Sequence, residues 1–358
     1  MKRKSLSAVP AVLGLLTASF ITGKTAFAET DPLAQEKIER RLQFNQYYES
    51  ALLESRRPDI QDESEKPWEL TFATSVGYDT NAPLDIPAES DNFFQETADF
   101  SWSSPHPGLG GRFPGSYGIR LGADWLTYED ETEADYLTPD AEIWAEFEII
   151  SGLTLKESYR FAYLHYPKDE DLRYLSQEIS SEITHRVTDR FEHELYFDAE
   201  LKNFTDRNAL DPSNRELSKN RQDVYCETGY RVRFEAGPGV EFGVSGGIKK
   251  NMSNDIFEDF NDYRGALVSG YVYYQVRKEI ALMFLSGYDY KKFEERHFPG
   301  SPRKAERDNF MYFGPSIYWD FARNRQLILS YLFSENYSND PQQEYIDQIV
   351  TATLLIRF

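Results

Sequence analysis

Histidine and cysteine are the residues best suited to acid–base or metal chemistry, and their spacing here favours neither. The only cysteine is Cys226, so no intramolecular disulfide can form. No H-E-x-x-H motif, the pattern of zinc proteases, occurs. The sequence therefore predicts no enzyme, no catalytic residue, no metal site and no cofactor. The five histidines are His106, His165, His185, His193 and His297.

Two segments are strongly acidic: "EDETEAD" at 129–135 and "DIFEDFND" at 255–262. The second loosely suggests a calcium-binding loop. A calcium site needs several converging oxygen atoms and usually a glycine at a fixed position, which neither segment supplies clearly. Both segments are predicted to be solvated loops.

The remaining chemistry lies in charged residues that alternate with apolar ones. Ile143 and Phe147, for example, interleave with Glu142 and Glu146. Strict alternation over about ten residues is typical of a strand with one apolar and one polar face, and it recurs along the chain. The polar face is predicted to line a lumen, with carboxylates in excess, and a ring of acidic side chains favours cations. The candidate lumen-lining residues are Glu142, Glu146, Glu148, Lys156, Arg160, Glu182, Arg186, Glu192, Glu194, Asp198, Arg231, Arg233 and Glu241, together with Glu178, Glu200, Lys202, Glu227 and Lys249.

Fourteen such segments are predicted from residue 67 to the end of the chain. From residue 129 onward, short turns alternate with long polar loops, as in outer-membrane barrels. The long connection at 104–115 breaks this rule, so twelve or sixteen strands remain open. The fold class is all-β: a transmembrane antiparallel β-barrel of about fourteen strands. The predicted strands are 67–78, 93–103, 116–128, 136–149, 153–166, 175–187, 191–204, 221–235, 239–251, 262–276, 280–292, 308–321, 325–336 and 344–358.

The N-terminal region has a different character. Residues 1–28 have a basic start, a short apolar stretch and "AFA" before Glu29, which predicts a cleaved signal peptide. Residues 29–66 are predicted to be a short periplasmic helix, over 32–57, and a linker. The barrel is assigned to 67–358.

Composition supports a membrane barrel. The chain has a formal charge of −21, and removal of the four basic residues of 1–28 leaves −25, which argues against nucleic acid as a partner. The mean hydropathy of −0.61 is polar, yet 15 % of the residues are aromatic. A barrel reconciles the two, because only alternate residues contact lipid.

The short turns predict the pairing of neighbouring strands. Three-residue turns keep like faces together and place Gly152 where a left-handed residue is needed. At 150–152 this sets Glu146 opposite Lys156 and Glu142 opposite Arg160. The same rule sets Arg186 opposite Glu192 at 188–190, and Arg233 opposite Glu241 at 236–238.

The end of the chain resembles a known signal. Val350, Ala352, Leu354, Ile356 and Phe358 alternate up to the final aromatic residue. This pattern is similar to the C-terminal strand that the Gram-negative barrel-assembly machinery reads, with Leu354, Ile356 and Phe358 as the signal. The resemblance implies that machinery, periplasmic chaperones, membrane lipid and lipopolysaccharide as partners.

A second resemblance lies at the first strand. The segment "LTFATSVGYDTNAPL" is similar to the opening strand of barrels in exopolysaccharide-export and surface-lipoprotein export proteins. The sequence favours a pore or export channel with an acidic, charge-paired lumen. The alternatives are a structural or adhesion barrel with a plugged lumen and, third, a barrel enzyme. The substrate, the oligomeric state and the role of the N-terminal helix stay open.

Overall fold

The computed structural model describes residues 66–82, 84, 88–106, 114–211, 213, 215–256, 261–297 and 305–358. These residues form one closed antiparallel barrel of fourteen strands, in which each strand pairs with its neighbours in sequence and the first pairs with the last. The predicted signal peptide and the predicted helix and linker lie outside the described residues, apart from Lys66.

The strands follow the predicted ones closely at their centres; several extend further at their ends, whereas β5 and β14 are shorter than predicted. Their bounds are β1 Trp68–Asp79, β2 Asp91–His106, β3 Gly115–Tyr128, β4 Tyr136–Ile150, β5 Leu153–Leu164, β6 Tyr174–Thr188, β7 Phe191–Leu210, β8 Glu216–Gly237, β9 Val240–Ser253, β10 Tyr263–Arg277, β11 Ile280–His297, β12 Ala305–Ala322, β13 Arg325–Ser338 and β14 Tyr345–Arg357.

Two regions differ from expectation in strand length. The segment 205–220 was predicted to be a loop, but β7 continues to Leu210 and β8 begins at Glu216, so most of it is a strand pair. Near the start, β2 and β3 pair from Phe93 and Tyr128 down to His106 and Gly115. The predicted count of fourteen strands is confirmed, since β2 and β3 are each a single strand of the closed barrel.

Closure of the barrel depends on the last strand. β14 pairs with β1 in a continuous register from Thr71 opposite Arg357 to Asp79 opposite Ile349. The Phe358 N–H donates to the Leu70 carbonyl at 2.9 Å, and its ring meets Phe72 edge-on, with the ring centroids 6.0 Å apart. The final residue therefore completes the hydrogen bonds of the closing pair of strands.

The short turns lie at the same end of the barrel as Phe358, which we call the turn end; the opposite end is the loop end. At the first short turn, Glu146 lies opposite Lys156 and Glu142 opposite Arg160, as predicted. Gly152 has a φ of +80°, the left-handed conformation expected there.

The register predicted at 236–238 is wrong. The structure places Arg233 opposite Gly243, and Glu241 opposite Glu235. The left-handed residue is Gly239, with a φ of +74°, so the turn lies one residue later than predicted. Moving a turn by one residue shifts the register by two, which preserves the face on which each side chain lies.

In the part of the chain that the structure describes, short 3₁₀ turns occur in three loop-end connections, at Thr132–Ala134, Glu170–Leu172 and Pro341–Gln343. Among the residues described, no helix has the length and apolar character needed to cross a membrane.

Gly152 offers a test of the turn geometry. Gly152→Ala should lower the free energy of unfolding by about 1–2 kcal/mol, because a side chain in the left-handed region clashes with its own backbone. A Cβ there would also lie 2.9 Å from the Arg186 carbonyl oxygen. Ser151→Ala, next to it, should cost less than about 0.5 kcal/mol. Denaturant unfolding of the refolded protein measures both changes, and equal effects would contradict the assigned turn.

Candidate functional site: the charged inner face of the barrel

The two faces of the barrel wall differ in chemistry. Ile143, Val244 and Ile248 are 59, 58 and 64 % exposed on one face. The residues that alternate with these apolar ones along each strand carry the charges, and many of the charged side chains form ion pairs. The wall is one sheet thick, so one of these faces must be the inside.

Contacts that skip a strand identify the charged face as the inner one. The Lys249 ammonium group on β9 pairs with Asp289 on β11, across β10. The Arg231 Nη1 on β8 lies 3.6 Å from Glu182 Oε1 on β6. Side chains two strands apart converge only on the concave side of a closed wall. The structure therefore places the apolar face outside and the charged face inside.

Aromatic residues form two belts on the outer face. Near the turn end, Trp68, Tyr117, Phe234, Trp319 and Phe358 are 39–55 % exposed. Near the loop end, exposed aromatics form the second belt: Tyr78, Phe94, Trp125 and Tyr337. Two aromatic belts flanking an apolar band are the pattern that a bilayer imposes on a barrel.

A continuous chain of ion pairs runs along the inner face from β5 to β8. Lys156 Nζ lies 3.2 Å from Glu182 Oε2. Arg231 Nη1 contacts Glu182 at 3.6 Å and Glu194 at 2.7 Å, so this one guanidinium links carboxylates from two strands. The Lys156 and Arg231 side chains are 37 and 34 % exposed, so these charges are partly open to solvent.

A second group of ion pairs lies nearer the turn end. Glu192 accepts from Arg186 at 3.4 Å and approaches Arg233 at 3.5 Å. The Arg186 side chain is 63 % exposed. This exposure limits the contribution of the pair to stability, because water screens the attraction.

Opposed residues do not always become ion-pair partners. Glu142 lies opposite Arg160, but Arg160 bonds to Asp140 at 3.3 Å and approaches Glu178 at 4.0 Å. Glu146 lies opposite Lys156, whose ammonium group reaches Glu182 instead. The long lysine and arginine side chains therefore bond to carboxylates that lie diagonally across the strand pair or on the strand at their other side.

Several predicted carboxylates are held by polar groups rather than cations. Asp198 accepts from the Ser180 hydroxyl, and Glu241 accepts from the Tyr271 hydroxyl. Glu148 accepts from the Gly152 N–H at 3.3 Å, close to the turn. Each of these carboxylates thus accepts a hydrogen bond from a neutral donor on the inner face.

The sequence analysis did not identify one ion pair of the charged inner face, which lies between β2 and β3. Arg120 on β3 bonds to Asp99 on β2 at 2.5 Å. Arg120 lies directly opposite Glu142 in the β3–β4 pair. Arg120 and Asp99 therefore follow the same alternation as Glu142. The signal was therefore present, but the weaker alternation of β2 and β3 concealed it.

The histidine pair lies on the outer, apolar face of the barrel wall. His185 and His193 are cross-strand partners at the turn end, with Nδ1 and Nε2 3.1 Å apart. Their rings contact each other, and that of His193 also contacts Tyr230. This arrangement is packing at the edge of the apolar band. Within the described ranges, no three His, Cys, Asp or Glu side chains are grouped closely enough to hold a metal ion.

At the loop end the inner face is tightly packed. Arg221 pairs with Asp223, and both side chains are 3 % exposed; the guanidinium also lies over the Phe204 ring, with its carbon 4.4 Å from the ring centroid. In the β3–β4 loop, burial raises the pKa of Asp135, although its carboxylate accepts a hydrogen bond from the Tyr128 N–H.

The inner face of β10–β14 and β1 carries fewer charges toward the turn end. Hydroxyl pairs occur there, as between Ser316 and Ser330 at 3.0 Å, and between Ser75 and Thr353 at 2.7 Å. The Tyr312 ring lies flat over Gly287, where a Cβ would come within 2.3 Å of it. The glycine therefore allows the ring to lie along the wall instead of projecting inward.

Comparison with solved structures finds similar barrels at very low sequence identity. The outer-membrane-expressed OmpT of Vibrio cholerae is 9 % identical, with 81 % of this chain and 97 % of that chain covered and a TM-score of 0.47. A bacterial polysaccharide outer membrane secretin is 9 % identical over 81 % of this chain and 98 % of that chain, with a TM-score of 0.46.

The CymD monoaromatic hydrocarbon channel is 8 % identical over 83 % of this chain and 90 % of that chain, with a TM-score of 0.45. No family model and no curated protein matches the chain. These similarities are too low for any of these functions to be transferred.

The closed wall, the apolar outer band and its two aromatic belts decide the location. The chain is an outer-membrane β-barrel. By the usual asymmetry of such barrels, the turn end is expected to face the periplasm and the loop end to face outward.

The pair that crosses β10 provides a test of the inner packing. Lys249 is 0 % exposed and Asp289 14 % exposed at the side chain. Lys249→Met should lower the free energy of unfolding by about 3 kcal/mol or more, because it leaves a shielded carboxylate without its cation. Adding Asp289→Leu should recover most of that loss.

The exposed pair near the turn is the matched control. Arg186→Met should cost less than about 1 kcal/mol. Unfolding in lipid vesicles, analysed as a double-mutant cycle, measures the coupling. Additive effects of the Lys249 and Asp289 changes would show that the two strands do not converge there.

Proposed function

We propose that this chain forms a pore or export channel whose inner face carries excess negative charge and weakly favours cations. The observation that carries the proposal is a set of inward carboxylates, among them Glu146 and Asp198, for which no described residue supplies an ion-pair partner. Cations bonded to Glu182 and Glu194 neutralise only part of the charge. Fixed carboxylates along a solvated wall attract cations and repel anions.

Partial exposure of the ion-pair chain also supports a solvated passage. A barrel that served only as a scaffold would gain more from an apolar or fully shielded interior, because half-exposed ion pairs contribute little to stability. The proposal assigns no catalytic residue. Membrane lipid, lipopolysaccharide, the assembly machinery and periplasmic chaperones are its expected partners, with Leu354, Ile356 and Phe358 as the assembly signal.

A structural or adhesion barrel is the second candidate. It is favoured by the tight packing at the loop end, where Arg296 and Glu306 pair at 2.8 Å with side chains 3 and 1 % exposed. A passage sealed there would leave the acidic outer loops as the functional surface.

Reconstitution into a planar bilayer distinguishes the two candidates. The pore should give discrete conductance steps and a cation-selective reversal potential under a salt gradient. Glu146→Gln combined with Glu194→Gln should move that potential toward zero, because two negative charges leave the passage. Lys156→Gln should move it in the opposite direction.

Glu157→Gln is the matched control. Glu157 lies on the outer face, where it accepts from Ser181 at 2.7 Å, so the same chemical change there should not alter selectivity. Absence of conductance in every variant would contradict the pore and favour the structural barrel. Equal shifts from the inner and outer changes would contradict the assigned faces.

A further inference from the structure

Four basic residues form one row on the outer face at the loop end of β9–β12. In the strand pairing, Arg264 lies opposite Lys250 on one side and Lys292 on the other, and Lys292 in turn lies opposite Arg307. Each of them is next in sequence to an inward residue, so all four face outward. We call Lys250, Arg264, Lys292 and Arg307 the outer basic row. Neighbouring strands are about 4.8 Å apart, so the row extends over about 14 Å.

The outer basic row differs from the inner cations of the same strands. Lys249, which precedes Lys250 and faces inward, pairs with Asp289 on β11. No carboxylate in the described part of the chain forms an ion pair with any member of the row. Lys292 is half-buried and the other three members are exposed. The row therefore presents its charge to whatever surrounds the barrel.

Such a row is unfavourable by itself. Like charges directly opposite each other in a sheet destabilise the strand pair, and the row contains three such contacts in succession. An anion placed between two neighbours would turn each repulsive contact into two attractive ones. The arrangement therefore indicates an anionic partner that comes from outside the described chain.

The aromatic belt gives the depth of the row in the membrane. Tyr337 of the loop-end belt lies opposite Asn309, which lies opposite Tyr290. Arg307 and Lys292 are the next outward residues of their strands toward the loops, about 7 Å further along. The headgroup region extends about 5–8 Å beyond the hydrocarbon core on each side. The row therefore lies at the level of the lipid headgroups.

The outer surface on the membrane side of the row is apolar. Ile248 and Ala266 lie opposite each other and are the next outward residues on β9 and β10. Ile248 is 64 % exposed, and Val268, the following outward residue on β10, is 49 % exposed. A molecule on this surface would contact cations at one end and apolar side chains along the rest. That is the charge distribution of a lipid with an anionic headgroup.

We propose that the outer basic row binds the headgroup of a lipid that carries two phosphate groups, with the acyl chains against the apolar surface beside it. Guanidinium and ammonium groups both donate to phosphate oxygens, and clusters of lysine and arginine at a membrane surface bind anionic headgroups. One phosphate contacts Lys250 and Arg264, and the second contacts Lys292 and Arg307. The site does not depend on the proposed pore.

Lipid binding tests the site directly. The refolded protein in detergent micelles is mixed with diphosphoryl lipid A and a metal chelator, and native mass spectrometry counts the bound lipid. The chelator prevents metal ions from bridging phosphate to the acidic loops. Arg264→Gln with Lys292→Gln should weaken binding about tenfold or more, because it removes the two central cations. Monophosphoryl lipid A should bind the unchanged protein several-fold more weakly than diphosphoryl lipid A.

Two double variants are the controls. Arg215→Gln with Lys219→Gln removes the same two residue types at exposed loop-end positions outside the row, and it should leave the affinity unchanged. Arg264→Lys with Lys292→Arg keeps both charges in place and should retain binding. Resistance of the folded barrel to denaturation by detergent at room temperature verifies folding in each case.

Stability in two kinds of vesicle provides a second measurement. In phosphatidylcholine vesicles, the variant with Arg264→Gln and Lys292→Gln should unfold at the same or a higher denaturant concentration than the unchanged protein, because repulsive contacts are removed. In vesicles that also contain diphosphoryl lipid A, the unchanged protein should be the more resistant, since a ligand that binds only the folded state stabilises it. The order of the two proteins should therefore reverse.

The outcomes separate a lipid site from an unspecific charge effect. Equal lipid affinity with and without Arg264 and Lys292 would overturn the proposal, and so would an equal loss in the Arg215 and Lys219 control. Displacement of the lipid by inorganic phosphate at the same phosphate concentration would also overturn it, because the row would then recognise the anion alone. Weaker binding in the row variant only, with the reversed order of stability, would support the lipid site whether or not the barrel conducts ions.

Discussion

The need to satisfy every backbone hydrogen bond inside lipid governs this structure. An unpaired N–H or C=O group in the bilayer core costs several kcal/mol, so a sheet there must have no free edge. The continuous register between β1 and β14, ending with the bond from Phe358 to Leu70, removes that edge. Closure then forces each strand to have one face toward lipid and one toward the interior, and the whole distribution of charge follows from that division.

The interior is not uniform, and its asymmetry has a physical basis. From β2 to β9 the inner face carries a connected set of charges, in which Arg231 joins Glu182 and Glu194. Near the turn end of β11 to β13 it is apolar, with tyrosine and hydroxyl groups. A solute at that level of the barrel would therefore meet a charged wall on one side and an apolar wall on the other.

Alternation alone was sufficient to predict much of this arrangement. The face of Glu142 and of Ile143 follows from the period of two, and even the misplaced turn at 236–238 left Arg233 and Glu241 on the predicted face. Ion-pair partners were less predictable, since the reach of lysine and arginine covers several carboxylates. Met283 and Ile328 could not be assigned from pattern at all, because runs that are apolar on both faces carry no alternation. The extension of β7 and β8 was hidden by polar residues beyond the apolar band, where a strand no longer needs an apolar face.

The central claim is that the wall is apolar outside and wet and charged inside. Nitroxide labels placed singly at residues 241–249 of β9, in a Cys226→Ser background and in lipid vesicles, test it most directly. Collision rates with oxygen, which concentrates in lipid, and with a water-soluble nickel complex should alternate with a period of two. The account predicts high oxygen contact at 242, 244 and 248 and lower oxygen contact at 241, 245 and 249, with nickel contact wherever the interior is solvated. The opposite phase, or no alternation, would contradict it.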